Sequence, residues 1–445
     1  MASGCIGSSI GGWRIVSVAF FSVALLVMPS MWAAEDVTVA EPESVGMSSE
    51  RLQRINSFIQ NYIDSDQIAG AVTLVARKGK VVHYEAHGWR DKDDEIPMTR
   101  DTIFVLMSMT KPIVSTALMM LFEDGRFLLD DPIAKWIPEY RNHKVRLNRD
   151  GVRQELVPES RPVTVRHVLT HTSGLTLNPN GKGLSEDELN YVTNHGKGWP
   201  TLAERVAHAA VVPGAFHPGD EWQYGDSTDY VAVLVEKISG QSVNDFLTKR
   251  IFEPLGMTDT YYFVPGDKVE RMASVYRPDE NGHIELMVKP AYREPTQMFR
   301  GIAGLAGTAA DYYQFAQMIA NGGELNGQRL LGRMTVDNMI SNHIGPNKPV
   351  YIRGGGSGFG LGFGVLTNSA EAPDALSIGS YTWGGAYGTL YWADPVEDLI
   401  GLLMIQIRPY NHINIRPLFS NVVTQAVVDD VSVQQPKIMG RPTPH

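Results

Sequence analysis

The 445 residues carry 39 basic against 49 acidic side chains, a net charge of −10, which excludes nucleic acid or an anionic membrane surface as the main partner. With 43% apolar residues, 43 glycines in no collagen period and a single cysteine, the chain is not disordered, fibrous or a disulfide scaffold, and a Cys-based zinc or iron–sulfur site is ruled out. Such a length allows about three domains, or two larger ones.

Arg14 is the one charged side chain before Glu35. The apolar run Ile15–Met28 that follows suits a signal-peptide core and falls short of the ~20 residues that span a bilayer. Pro29, the small pair Ala33-Ala34 and then acidic Glu35-Asp36 place a cleavage site near Ala34. Residues 1–34 therefore read as a secretory leader, the alternative being an uncleaved anchor. Its removal would take the lone Cys5 with it.

Beyond the leader, Ser48-Ser49-Glu50 opens an amphipathic helix with Leu52, Ile55, Ile59 and Ile63 near helical spacing. Ala71–Arg77 and Val81–His87 flank Lys78-Gly79 and predict a hairpin. A helix follows from Ser108 to about Glu123, with Pro112 tolerated in its first turn and Gly125 ending it. From about Asp130 to Pro295, loops rich in Pro, Gly and Asn alternate with short helical patterns at Val163–Leu169 and Asp229–Ile238. Regularity then returns: a helix over Ala309–Asn321, strand-like stretches at Gly358–Leu366, Ser377–Trp392 and Leu399–Ile407, and a last helix at Pro417–Asp430. This order predicts an α+β unit over 35–445. Its α/β part lies at about 45–125 and 296–435, around a helical, loop-rich insert at about 126–295.

Three features could carry chemistry. Ser108-Met-Thr-Lys111 puts a hydroxyl and an ammonium three residues apart, on one helix face, where the lysine can help deprotonate the serine. A match so short also arises by chance, and the plain alternative is a capping serine beside a solvated lysine. Tyr224 sits just before a helical run and could be a general base beside a cation, or a tyrosine packed in a turn. Trp383-Gly384-Gly385-Ala386 breaks a strand with paired glycines, which marks either close backbone approach with an oxyanion-binding N–H or a β-bulge.

Taken together and in this order, the three features resemble the serine β-lactamase-like hydrolases, near class C β-lactamases and above all the carboxylesterases called family VIII. Further stretches share the likeness: Arg166–Leu175, Glu253–Met257, Gly304–Thr308, Asn321–Gly323 and Pro417–Asp429. The resemblance covers roughly residues 43 to 432. It implies a β-lactamase/transpeptidase-like fold, an antiparallel sheet flanked by helices beside an all-helical region. It also implies acyl transfer without cofactor or metal: Ser108 as nucleophile, Lys111 and Tyr224 together as base, and the N–H groups of Ser108 and Ala386 holding the oxyanion. Trp383, Gly384 and Gly385 would line the substrate.

Two departures shape the expected substrate. Relatives that act on β-lactams usually have Lys-Thr-Gly where this chain has Trp383-Gly-Gly385, so the cation that would hold a carboxylate is replaced by an apolar wall. They often have Asn two residues after the tyrosine, where Asp226 here would repel a carboxylate or pair with Lys111. Both point towards an esterase, exported by virtue of the leader, with a small-molecule ester or amide as substrate. The rivals are a β-lactamase or D-amino-acid peptidase, and a penicillin-binding-like fold without catalysis. No obligate membrane partner is expected, and oligomeric state is not legible.

Other signals carry less. Gly7-Ser-Ser9-Ile-Gly11 has the form of a nucleophile elbow but lies in the leader with no strand before it. His167 and His171 have the spacing of a zinc pair without the adjacent Glu of H-E-x-x-H. Arg353–Gly364 is glycine-rich but has neither the lysine nor the flanking elements of a nucleotide loop.

Overall fold

Strands from both ends of the chain meet at the middle of one sheet. The computed structural model describes residues 37–149, 152–175, 198–345, 350 and 355–429, with Met1 and Gly4. Apart from those two residues the expected leader lies outside the described residues, as do Arg353, Gly354 and the Asp430 end of the last expected helix. The strands are β1 Gly70–Arg77, β2 Lys80–Asp91, β3 Ile96–Pro97, β4 Ser357–Phe359, β5 Gly364–Leu366, β6 Tyr381–Gly384, β7 Leu390–Asp394 and β8 Leu399–Met404. They form an antiparallel sheet in the order β4-β5-β6-β7-β8-β1-β2-β3. β1 pairs with β8, Val72 opposite Met404, so the insert leaves the sheet continuous. Asp36–His445 forms one compact unit.

The sheet is covered on both faces, and the period of two in β1 shows how. Val72, Leu74 and Ala76 join one cluster of buried side chains, and Ala71 and Val75 join another. The first cluster holds helices α2 Thr110–Glu123, α3 Val165–Leu169, α4 Ser227–Ser239 and α5 Ala309–Ala320. The second holds α1 Arg54–Asp64 and α6 Ile415–Thr424. α2 lies so deep that every residue from Thr110 to Leu121 is buried, which is why its apolar residues run all round it. Among the described residues no helix is long and apolar enough to cross a membrane.

Sequence and structure differ at instructive places. The expected strand Ser377–Trp392 is two strands, because Gly385 N–H donates to Thr389 O at 2.8 Å and reverses the chain. Gly358–Leu366 is likewise folded on itself, Gly360 N–H reaching Phe363 O at 2.7 Å. The insert carries helices and also two hairpins, Lys144–Arg149 with Val152–Pro158 and Val275–Pro278 with Ile284–Val288. In the first, Lys144 is exposed and the next residue, Val145, is buried.

Candidate active site

α2 begins in a single 3₁₀ turn, Met107–Met109, and Ser108 is its middle residue. Met107 is held at φ 49°, a left-handed conformation costly for a side chain with Cβ, and strain of that kind collects at functional positions. The helix returns Lys111 to the face of Ser108 one turn later. Its ammonium donates to Ser108 Oγ at 3.1 Å although the side chain is only 3% exposed. The hydroxyl of Tyr224 stands 2.7 Å from the same Oγ, and Lys111 Nζ lies 4.7 Å from the Tyr224 ring centroid. Tyr224 is 41% exposed, so the serine sits at the junction of a dry interior and solvent. A serine hydroxyl within reach of both a lysine nitrogen and a phenol oxygen can give up its proton to that pair once the lysine is in its free-amine form.

A buried ionic cluster fixes Lys111 from behind. Its ammonium also donates to Ile302 O at 2.8 Å, and Ile302 N–H donates to Asp229 Oδ1 at 3.1 Å. Asp229, 0% exposed, takes Arg205 Nη1 at 2.9 Å and Arg300 Nε at 2.7 Å. Asp226 does not pair with Lys111, as one sequence expectation allowed. Its partner is Arg205, at 3.4 Å, which already faces the first turn of α4 to meet Asp229. Burial and the neighbouring Asp229 charge push the Asp226 carboxyl up, against the pull of Arg205, Arg300 and Lys111. Asp229→Asn is expected to lower the unfolding free energy by about 3–5 kcal/mol, because it leaves buried guanidinium groups short of an anion. Urea melts at neutral pH measure this, and a loss under about 1 kcal/mol would show that the cluster is not a keystone.

The third wall is the end of β6. Trp383 and Gly384 pair with Tyr391 and Leu390 in unbroken register, so the paired glycines are not a bulge. They mark close approach instead. A Cβ on Gly385 would lie 2.5 Å from the carbonyl oxygen of Leu106, two residues before Ser108, and 2.2 Å from Thr389 Oγ1. The turn bearing Ala386 is thus pressed against the turn bearing Ser108.

Around this centre the apolar wall expected of Trp383 is extended by rings from other segments. Trp383, 5% exposed, packs on Tyr224 and Phe359 with ring centroids 5.4 and 5.3 Å away. His171 is 5.0 Å from Tyr224, 5.3 Å from Phe359 and 6.3 Å from Trp222. Burial, reinforced by Lys111, pushes the His171 imidazole down to about 3, so it is a neutral ring in this wall. Its partner in the zinc-like spacing is used elsewhere: His167 Nδ1 accepts the N–H of Thr164 and caps α3. Trp222 and Tyr224 flank Gln223, whose N–H donates to His171 O at 3.0 Å, so residues 171 and 222–224 are held as one piece. Proximity to Tyr224 was the signal available for Trp222; nothing local marked Phe359.

Ser108, Lys111 and Tyr224 therefore converge, with Trp383, Gly384, Gly385 and Ala386 alongside, whereas Asp226 belongs to the supporting ion cluster. Residues 55–416 match the model of the family described as Beta-lactamase. Protein Rv1367c of Mycobacterium tuberculosis is 33% identical over 363 residues, covering 79% of this chain and 89% of that protein. Esterase EstB of Burkholderia gladioli is 30% identical over 371 residues, with the same two coverages. Among solved structures, EstCE1, described as a hydrolase with promiscuous acyltransferase activity, superposes with a TM-score of 0.68 at 25% identity, over 85% of this chain and 99% of its own.

Proposed function

The chain belongs to the Beta-lactamase family and shares its serine-hydrolase scaffold, and from that premise we propose that it is an exported carboxylesterase working through an acyl-enzyme on Ser108. One observation carries this reading: a single serine oxygen lies 3.1 Å from the Lys111 ammonium and 2.7 Å from the Tyr224 hydroxyl. Ser108 Oγ attacks the ester carbonyl while Tyr224 and Lys111, acting in this step as the free amine, together take its proton and pass it to the departing alcohol. The oxyanion forms beside Ala386 N–H. Water, activated by the same pair, then frees the acid.

An ester, rather than a β-lactam, is favoured by the wall. Trp383 supplies aromatic surface where a carboxylate would need a cation, while Asp226 is engaged by Arg205. A neutral substrate suits these surroundings, and a short acyl chain is the default choice within the proposal. Transfer of the acyl group to an alcohol instead of water is a second reading, supported by the activity described for EstCE1 and by an apolar wall on which such an alcohol could compete. Residues 1–34 supply the export signal in this proposal.

A fluorophosphonate probe and a paired assay test it. Peptide mapping should find the label on Ser108, and a short-chain nitrophenyl ester should be turned over while a chromogenic cephalosporin is not. Efficient cephalosporin hydrolysis would replace the esterase with a β-lactamase. An unlabelled Ser108 would leave only a binding protein on this fold.

A further inference from the structure

One partly buried cation underlies the turn that carries Ala386. Arg416, in the first turn of α6, lies 31 residues beyond Gly385. Its Nη2 donates to the carbonyl oxygens of Gly385 and, at 2.6 Å, of Thr389. Nε donates to Gly388 O at 3.2 Å, and Nη1 to the Tyr410 hydroxyl. The guanidinium also stacks over the Tyr410 ring, 4.0 Å from its centroid. Three main-chain carbonyls between Gly385 and Thr389 thus converge on one charge. Gly384 makes room for it, since a Cβ there would lie 2.9 Å from both Cζ and Nη2. Burial pushes the guanidinium down to about 10, against the opposing pull of Tyr410 and Tyr224, so it stays a cation at neutral pH.

A structural staple would need only to hold the turn, but the choice of carbonyl goes further. Gly385 O and Ala386 N–H are the two ends of one planar, conjugated peptide group. A charged donor on the oxygen draws electron density through that group and makes its N–H a stronger donor, most of all where water is excluded. Among the described residues Ala386 N–H has no acceptor within the chain, and the adjoining Gly385 is packed against Leu106 O, two residues before Ser108.

We propose that Arg416 is a positioning residue for the oxyanion site: it aligns the Gly385–Ala386 peptide and polarises it, so that Ala386 N–H binds the developing oxyanion more strongly than an ordinary amide. The proposal rests on the reading of Ser108 as nucleophile and Ala386 as donor. It assigns a catalytic consequence to a side chain that need not touch the substrate.

The test compares an oxoester with its thionoester, in wild type, Arg416→Gln and Arg416→Lys. In a thionoester the developing charge falls on sulfur, a weak hydrogen-bond acceptor, so a strengthened N–H helps it little. Loss of a whole oxyanion donor costs about 10²–10³ in rate, and weakening one should cost less. Arg416→Gln is therefore expected to lower kcat on the oxoester about 10–100-fold with KM nearly unchanged, and the thionoester several-fold less. The oxo/thiono ratio of kcat/KM falls accordingly, and Arg416→Lys, which keeps the charge, falls in between. That ratio does not depend on how much of the sample is folded. Should Arg416→Gln give no folded protein, the Arg416→Lys ratio decides. A ratio equal to wild type in the folded variants, however low their activity, overturns the proposal and leaves Arg416 a staple. Fluorophosphonate labelling of wild-type Ser108 separates the two levels: a labelled serine with an unmoved ratio removes only Arg416, and an unlabelled serine removes the premise.

Discussion

Ser108→Ala is expected to lower kcat on a nitrophenyl ester by about 10⁴–10⁶, the range seen when a catalytic nucleophile is deleted. The structure explains why stability should hardly change. Lys111 keeps Ile302 O at 2.8 Å, and the half-exposed Tyr224 hydroxyl can turn to solvent, so the loss is confined to one of the lysine's two hydrogen bonds. Adding Lys111→Ala to Ser108→Ala should cost little more activity, because the two groups act as a unit. Initial rates and thermal melts on the same preparations measure all of this. Residual turnover above about 1% of wild type would take Ser108 out of the mechanism, since an oxyanion site alone gives far less.

The reach of the sequence depended on whether a feature was local. Lys78-Gly79 announced its hairpin because both residues adopt positive φ, 51° and 75°, as a two-residue hairpin turn demands. The helix after Ser108 was legible from its run of apolar residues, although it is buried all round and has no polar face to give its period away. Ala309–Ala320 carried its own cap, Thr308 accepting Asp311 N–H at 3.1 Å. The three catalytic candidates were legible too, each in a short motif with a chemical meaning.

What stayed hidden was made by distant chain segments meeting. Phe359 reaches the site from a strand formed by folding Gly358–Leu366 back on itself. Ile302 matters only through its backbone, which no side-chain pattern records. Asp229 read as one more polar residue at the start of a helix until Arg205 and Arg300 were seen to close on it. Asp226 illustrates the converse error. Reasoned about alone, it was free to pair with the nearest catalytic cation; in the fold, Arg205 claims it and ties it to the cluster that holds that cation in place.

Tyr224→Phe is expected to reduce kcat about 10²–10⁴-fold, the contribution of a positioned general acid–base group, with KM almost unchanged. The substitution is clean because the ring does separate work. It packs on His171 and Trp383 at 5.0 and 5.4 Å, and Lys111 Nζ sits 4.7 Å from its centroid, all of which phenylalanine retains. Only the oxygen 2.7 Å from Ser108 Oγ is lost. The substrate can then report which proton transfer the phenol serves. A nitrophenolate leaves without protonation, whereas an alkoxide must be protonated as it departs. If Tyr224 only helps deprotonate Ser108, a nitrophenyl ester and an alkyl ester of the same acid lose activity equally. If it also carries the proton to the leaving group, the alkyl ester loses more, and the gap widens as the alcohol becomes less acidic. The second result is expected, because Tyr224 reaches solvent while Lys111 is buried. A rate within about threefold of wild type on both esters would leave Lys111 as the sole base.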